Sequence, residues 1–306
     1  MNKSIVRIAF TLLVFISSNV QAQSVQLLVP AYSNPCCSFG PDMWSKLIAA
    51  TAIDNVEVSL IFNPSSGPGN SIDSNYVNSL GQGPLIDFKN GGGKVYGYIP
   101  TTFSLRNISD VKSDINKYYD TLYPGIVDGI FFDETSNNLA NVGYYNEIKD
   151  TVKSYDSSAL VISNPGTSFT NNPSGQTQYT VTDYANSADV IVTFENSADE
   201  YINNYTAPSW QSDFDNSHFA HIIFNQEVWD PSIFELALAR QAGYIYITND
   251  NLPNPYDSLA DYWDQQFNAV NAMSAVPLPA SILLFTPSVL LLGWFRRTGR
   301  RALRTS

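Results

Sequence analysis

Eight apolar runs rich in Val, Ile, Phe and Tyr recur along the chain about every thirty residues. They cover residues 25–32, 56–64, 94–102, 127–134, 159–166, 189–196, 219–226 and 243–250. Each has the length of a strand and is bounded by Asn, Pro, Gly or Asp. Helix-like segments lie between most of them, such as 108–123, 144–156 and 233–243, the last stopped by Gly243. A further helix over 258–273 follows the eighth run. Eight strands alternating with helices over about 250 residues predict a single (β/α)8 barrel. Two α/β domains would fit the same count. However, no Pro/Ser/Gly-rich linker divides the middle, and no glycine-rich phosphate loop follows the first run. "GPGNS" (67–71) and "NGGGK" (90–94) read as turns.

Both ends read as addresses rather than fold. Lys3 and Arg7 precede an apolar stretch from Ile8 to Ile16, and Val20-Gln21-Ala22 offers a small-residue cleavage site. This is the pattern of a secretory signal peptide over residues 1–22. At the other end, Val276-Pro277-Leu278-Pro279-Ala280 precedes an apolar stretch to Phe295, followed by five arginines. That order resembles the PEP-CTERM class of bacterial sorting tails. The resemblance implies a Gram-negative bacterium that makes exopolysaccharide, and an exosortase as processing partner. A plain membrane anchor is the alternative. The predicted division is therefore leader 1–22, barrel 23–271, and linker with sorting tail 272–306. The barrel is expected outside the cytoplasm, secreted or at the cell surface, with the tail transiently in the membrane.

Without its ends, the stretch 23–275 keeps nine basic residues against 28 acidic ones, a balance of −19. Nucleic acid and anionic lipid are poor partners for such a surface. Membrane contact is expected only through the terminal signals, while a neutral or cationic polymer is compatible. The only cysteines, Cys36 and Cys37, are adjacent and cannot build a disulfide framework. A vicinal disulfide and two free thiols both fit. The only histidines are His218 and His221, so a His-rich metal site or a Ser-His-Asp triad has little to draw on. His221 opens an apolar run and reads as a core residue rather than a base. No EF-hand-like spacing suggests calcium, and neither metal nor cofactor is called for.

A barrel of this kind builds its active site at the carboxyl ends of its strands. Polar side chains fall there in nearly every run: Tyr32, Asn63, Thr101, Thr102, Asp133, Glu134, Asn164, Glu195, Asn225, Gln226, Thr248, Asn249 and Asp250. Some of these would cap the following helix in any protein. Acids directly on a strand end are harder to dismiss. Alternation puts Gly129, Phe131 and Asp133 on one face of the fourth run, and Ile130 and Phe132 on the other. In the sixth run it sends Val190, Val192 and Phe194 to the helices, and Ile191, Thr193 and Glu195 to the barrel axis. Asp133 and Glu195 then project over one mouth, while Glu134 must be turned in by its loop. Paired carboxylates without His or Cys suggest glycosidic bond cleavage. Tyr32, Tyr96, Tyr98, Trp210 and Trp229 are candidate sugar-stacking rings, with packing the equally simple reading of each. The expected substrate contacts are Tyr32, Asn63, Tyr98, Thr101, Asn164, Trp210, Asn225, Thr248 and Asp250.

"PAY" (30–32), "IFNPSSGPG" (61–69), "VYGYIPTTF" (95–103), "DGIFFDE" (128–134), "NPG" (164–166), "VTFEN" (192–196) and "TNDNLPNPYDSLADYW" (248–263) occur in order. Together they resemble the spherulation-specific, or spherulin 4-like, glycoside hydrolases over most of residues 25–268. The resemblance implies a (β/α)8 barrel that cuts an α-1,4-linked N-acetylgalactosamine-containing exopolysaccharide from within the chain. It places the family's acids on Asp133, Glu134 and Glu195. Glu195 is then the general acid, Asp133 the nucleophile or stabiliser, and Glu134 a group that orients water or tunes its neighbour, with the roles exchangeable. Two other readings stay open: a non-catalytic exopolysaccharide-binding matrix protein, and a polygalactosaminidase acting on deacetylated polymer. The cysteine pair departs from the family pattern, and no functional thiol is expected there.

Overall fold

The computed structural model describes residues 25–53, 56–168 and 178–274. Eight parallel strands close into a barrel in chain order. They are β1 Gln26–Ala31, β2 Val58–Phe62, β3 Lys94–Pro100, β4 Gly129–Asp133, β5 Leu160–Ser163, β6 Val190–Ser197, β7 Phe219–Phe224 and β8 Tyr244–Ile247. Seven fall within the runs read from sequence, and β6 extends one residue past its run, to Ser197. Pairing of Gln26 with Tyr244 and of Leu27 with Ile245 seals the first strand to the last. Helices fill the links: α1 Gly40–Ala50, α2 Pro84–Asn90, α3 Ile108–Asn116, α4 Val142–Tyr155, α5 Val181–Ala185, α6 Ala198–Asn203, α7 Pro231–Ala239 and α8 Trp263–Ser274. The last helix runs three residues past the expected domain end at 271. The expected leader, and the expected sorting tail beyond residue 274, lie outside the described residues. Among the described residues, no helix is long and apolar enough to cross a membrane.

Strand parity follows from close contacts in the outer layer. A Cβ at Gly97 would lie 2.8 Å from the Tyr118 ring, so Gly97 faces the helices. Tyr118 is fully buried there and packs on Phe62. Burying such a ring contributes about 1.5–3 kcal/mol. Tyr98, one residue on, therefore faces the axis. It pairs with Phe131, Phe131 with Ile162, and Ile162 with Val190, so all four share the interior. Helix starts are fixed by short polar side chains, as Asn107 accepts from Ser109 N and Asp230 from Ser232 N.

The acids just ahead of the strands are structural. Asp128 Oδ2 accepts from Val95 N at 2.9 Å, and its Oδ1 lies 2.5 Å from Lys89 Nζ. Asp189 Oδ2 accepts from Val161 N at 2.8 Å and lies 2.7 Å from Lys153 Nζ. Each ties the amino end of one strand to its neighbour. Their lysines satisfy the charge, which sets these acids apart from those at the opposite end.

Candidate active site

Asp133 closes β4 and pairs with Pro100, so it faces the axis as alternation predicts. Tyr98 Oη donates to Asp133 Oδ2 at 2.7 Å. Asn164, just past β5, donates through Nδ2 to Asp133 Oδ1 at 2.7 Å and to Glu195 Oε2 at 2.6 Å. Tyr256, in the loop between β8 and α8, donates to Glu195 Oε1 at 2.6 Å. The Tyr32 ring meets Tyr98 and Tyr256 edge to face, with centroids 5.7 and 5.6 Å apart. Two carboxylates are thus enclosed by one amide and three phenols.

The electrostatics separate the two acids. Among the described residues, every ion pair engages other acids, and no lysine or arginine neutralises Asp133, Glu134 or Glu195. Burial raises the pKa of Glu195, and the charge of Asp133 raises it further. The hydrogen bonds from Tyr256 and Asn164 work against that rise, because they favour the ionised form. The hydroxyls of Tyr32, Tyr98 and Tyr256 are pushed well above the ordinary tyrosine range by burial and by the carboxylates. They therefore remain protonated donors.

Glu195 reaches the axis for a reason that alternation alone misses. Val190 lies on the interior face, which is opposite to the expectation, and Ile191 pairs outward with Phe219. In an unbroken strand Glu195 would then point to the helices. The register shifts between Val192 and Phe194, so two residues oppose His221 alone. Thr193 and Phe194 both take the outer side of this bulge. Thr193 Oγ1 bonds His221 Nε2 at 3.1 Å, and Phe194 packs on Tyr201 and Tyr205. The extra residue inverts the parity, and Glu195 faces inward beside Ile222. His221 is fully buried and also bonds Tyr201 Oη at 2.8 Å. Burial and nearby Arg240 lower its pKa to about 3, so it is a neutral core residue.

A sequence model of spherulation-specific family 4 matches residues 26–270. The chain belongs to this family. Over 263 residues it is 28% identical to Spherulin-4 of Physarum polycephalum, covering 83% of this chain and 72% of that protein. Its fold is similar to that of Aspergillus clavatus Sph3 crystallised in complex with GalNAc. That comparison has a TM-score of 0.63 and 23% identity, covering 81% of this chain and 98% of the other.

Within this family member, the sequence-predicted residues divide into two groups. Asp133, Glu195, Asn164, Tyr98 and Tyr32 come together around the mouth. Glu134 has the required bend, at φ 49°, and is exposed beside Tyr98, whose hydroxyl its charge affects. Asp250 is half-buried and accepts from Ser258 Oγ, while exposed Asn225 donates its backbone N–H to Asp250 O.

Three expected substrate contacts, Thr101, Thr248 and Trp210, are corrected. Thr101 is fully buried, and its hydroxyl serves the carbonyls of Asp133 and Glu134. Thr248 is fully buried and accepts from Asp250 N. Asn63 holds its own loop by accepting from Gly67 N. Trp210 packs on Phe219, the first residue of β7, and so lies at the end of the barrel opposite the mouth. Its residue type suited stacking, but nothing in the long link from β6 to β7 fixed its orientation. Tyr96 likewise lies buried low in the barrel, and Trp229 packs on Phe234 and Tyr262. Cys36 and Cys37 form a vicinal disulfide in an exposed turn after β1.

Tyr256 was missed. Its motif, "NPYDSL", stands out in the sequence, yet a loop residue carries no periodicity that would aim it. The loops add one further feature, three consecutive left-handed residues: Thr102, Phe103 and Ser104 at φ 50°, 56° and 68°. Such backbone costs about 1–2 kcal/mol per residue.

Proposed function

We propose that this protein is an extracellular endo-acting glycoside hydrolase for an amino-sugar exopolysaccharide. The observation that carries the reading is the shared amide of Asn164. Asp133 Oδ1 and Glu195 Oε2 lie 2.7 and 2.6 Å from one nitrogen, so they stand no further apart than the sum, 5.3 Å. Retaining glycosidases hold their carboxyl groups about 5–5.5 Å apart, whereas inverting ones need about 6.5–9.5 Å to admit water. That upper bound, which applies to the two nearest oxygens, lies short of the inverting range and so favours retention.

In this mechanism Glu195, whose pKa is raised by burial and by the charge of Asp133, gives its proton to the glycosidic oxygen. The bond from the anomeric carbon to that oxygen breaks, and a carboxylate oxygen of Asp133 bonds the anomeric carbon. Glu195, now ionised, takes a proton from water as the water attacks that carbon and releases Asp133. Tyr98 and Asn164 orient the nucleophile, and Tyr256 orients the acid. Glu134, exposed at the rim, holds water or substrate.

The family resemblance and the GalNAc-bound relative support an α-1,4-linked N-acetylgalactosamine-containing polymer as substrate. Export through the leader and anchorage through an exosortase-processed tail complete the proposal. A balance of −19 over 23–275 also favours a second reading, cleavage of a deacetylated, cationic polymer. The test is incubation of the purified protein with acetylated and with deacetylated galactosaminogalactan, scored by new reducing ends. Release is expected from the parent and not from Glu195→Gln. Tight polymer binding without reducing ends would mark a matrix binder instead.

A further inference from the structure

The loop from β3 to α3 is strained, heavily anchored, and holds out a ring that the fold does not use. Thr102, Phe103 and Ser104 are left-handed in succession, and the facing Glu134 is left-handed too. A β-branched residue such as Thr102 rarely takes this conformation. The surroundings hold it there. Thr101 N donates to Asp133 O at 2.9 Å, Phe103 N to Glu134 O at 2.6 Å, and Arg106 N to Thr101 O at 3.2 Å. Arg106 Nη1 donates to Pro100 O at 3.0 Å, and Tyr144 Oη to Arg106 O at 3.1 Å.

None of these anchors involves the Phe103 side chain. The residue is 56% exposed, and among the described residues its ring stacks on no other. Leu105 beside it is 82% exposed. The strained backbone acts against stability and the exposed ring gains nothing from burial, so the folded state gives no reason to keep that strain at this residue. A ligand does. The ring rises from backbone bonded to Glu134, the residue that follows Asp133, so Phe103 belongs to the loops at the carboxylate end of the barrel.

We propose that Phe103 is the stacking platform of a sugar subsite next to the cleavage point. It would receive the apolar C–H face of a pyranose in the polymer, while the exposed carboxylate of Glu134 meets that sugar's hydroxyl or nitrogen substituents. The inference rests on the glycoside hydrolase reading and adds the residue that grips the chain beside the reacting bond. The hydrogen-bonded backbone holds the residue in place before substrate arrives, so less conformational freedom is lost on binding.

The experiment uses the full protein in a Glu195→Gln background, where substrate binds without being cut. The probe is a set of purified N-acetylgalactosamine oligosaccharides from galactosaminogalactan, and the readouts are Kd and melting temperature. Phe103→Ala is expected to weaken binding about tenfold, and Phe103→Leu nearly as much, because bulk without a π-face does not stack. Phe103→Tyr and Phe103→Trp are expected to bind like the background, with no variant melting lower. Unchanged affinity in Phe103→Ala, or a loss that Tyr and Trp fail to restore, overturns the platform and leaves the hydrolase reading standing. If the Glu195→Gln protein itself binds none of the oligosaccharides, the amino-sugar hydrolase reading falls, and the platform with it.

Discussion

Asp133 and Glu195 are held to each other through one nitrogen, the Asn164 amide, at 2.7 and 2.6 Å. Two like charges so close repel, and the amide that donates to both offsets part of that repulsion. It also fixes their spacing.

Asn164→Ala removes the common donor. The carboxylates should separate, and the nucleophile loses one of its two side-chain hydrogen bonds. Misplacing a reacting group by about 1 Å costs about 100-fold in rate. We expect a loss of that order with little change in KM, measured by reducing ends released from the polymer. A variant within about threefold of the parent rejects Asn164 as the organiser of the pair.

The pH profile should report Glu195. The acid works while protonated, so activity falls as pH rises through its raised pKa. The hydrogen bond from Tyr256 favours the ionised form and holds that value down. Tyr256→Phe removes the bond, so the alkaline limb should move to higher pH. A limb that stays in place or moves down contradicts the assignment of Glu195 as the acid.

Glu195 also costs stability near neutrality. Its folded pKa is raised, so it ionises less readily in the folded protein than in the unfolded chain. Its contribution to stability is complete in acid, below the ordinary glutamate range. It is lost as pH rises through the raised value. Glu195→Gln keeps the neutral shape, so it should melt higher than the parent at pH 7. The difference should close in acid. Scanning calorimetry across that range decides it, and equal melting at both ends counts against a carboxylate whose charge the folded state disfavours.

The bulge makes a separate prediction. Thr193→Val keeps the shape but removes the hydroxyl bonded to His221. The extra residue then loses its polar hook, and the strand can slip toward the register that turns Glu195 outward. We expect kcat to fall about tenfold with little change in KM, and Thr193→Ser to restore it. A variant that melts lower yet turns over normally at 25 °C shows the hook to be structural only.

Much of the barrel was legible because period-2 alternation and strand-length apolar runs are local properties. β4 shows this best: "VDGIFFDE" assigned both its faces and placed Asp133 correctly. β6 shows the limit. Its alternation put Glu195 inward by reading the whole strand with the wrong parity, and a bulge that no local pattern signals made the endpoint right. Trp210 and Tyr256 mark the same boundary in the loops. Both are aromatic residues in long links, but one turned to the base of the barrel and the other to the acid.

The sequence by itself determined eight strands in order, the acids at their carboxyl ends and the scarcity of histidine. Only the tertiary structure decided that Asn164 joins Asp133 to Glu195, that Tyr256 reaches across to Glu195, and that Phe103 stands exposed at the rim. The reason is physical. Alternation along a strand follows from backbone geometry within a few residues. Hydrogen bonds between residues 31 and 61 positions apart exist only once the barrel has closed and brought its strand ends together.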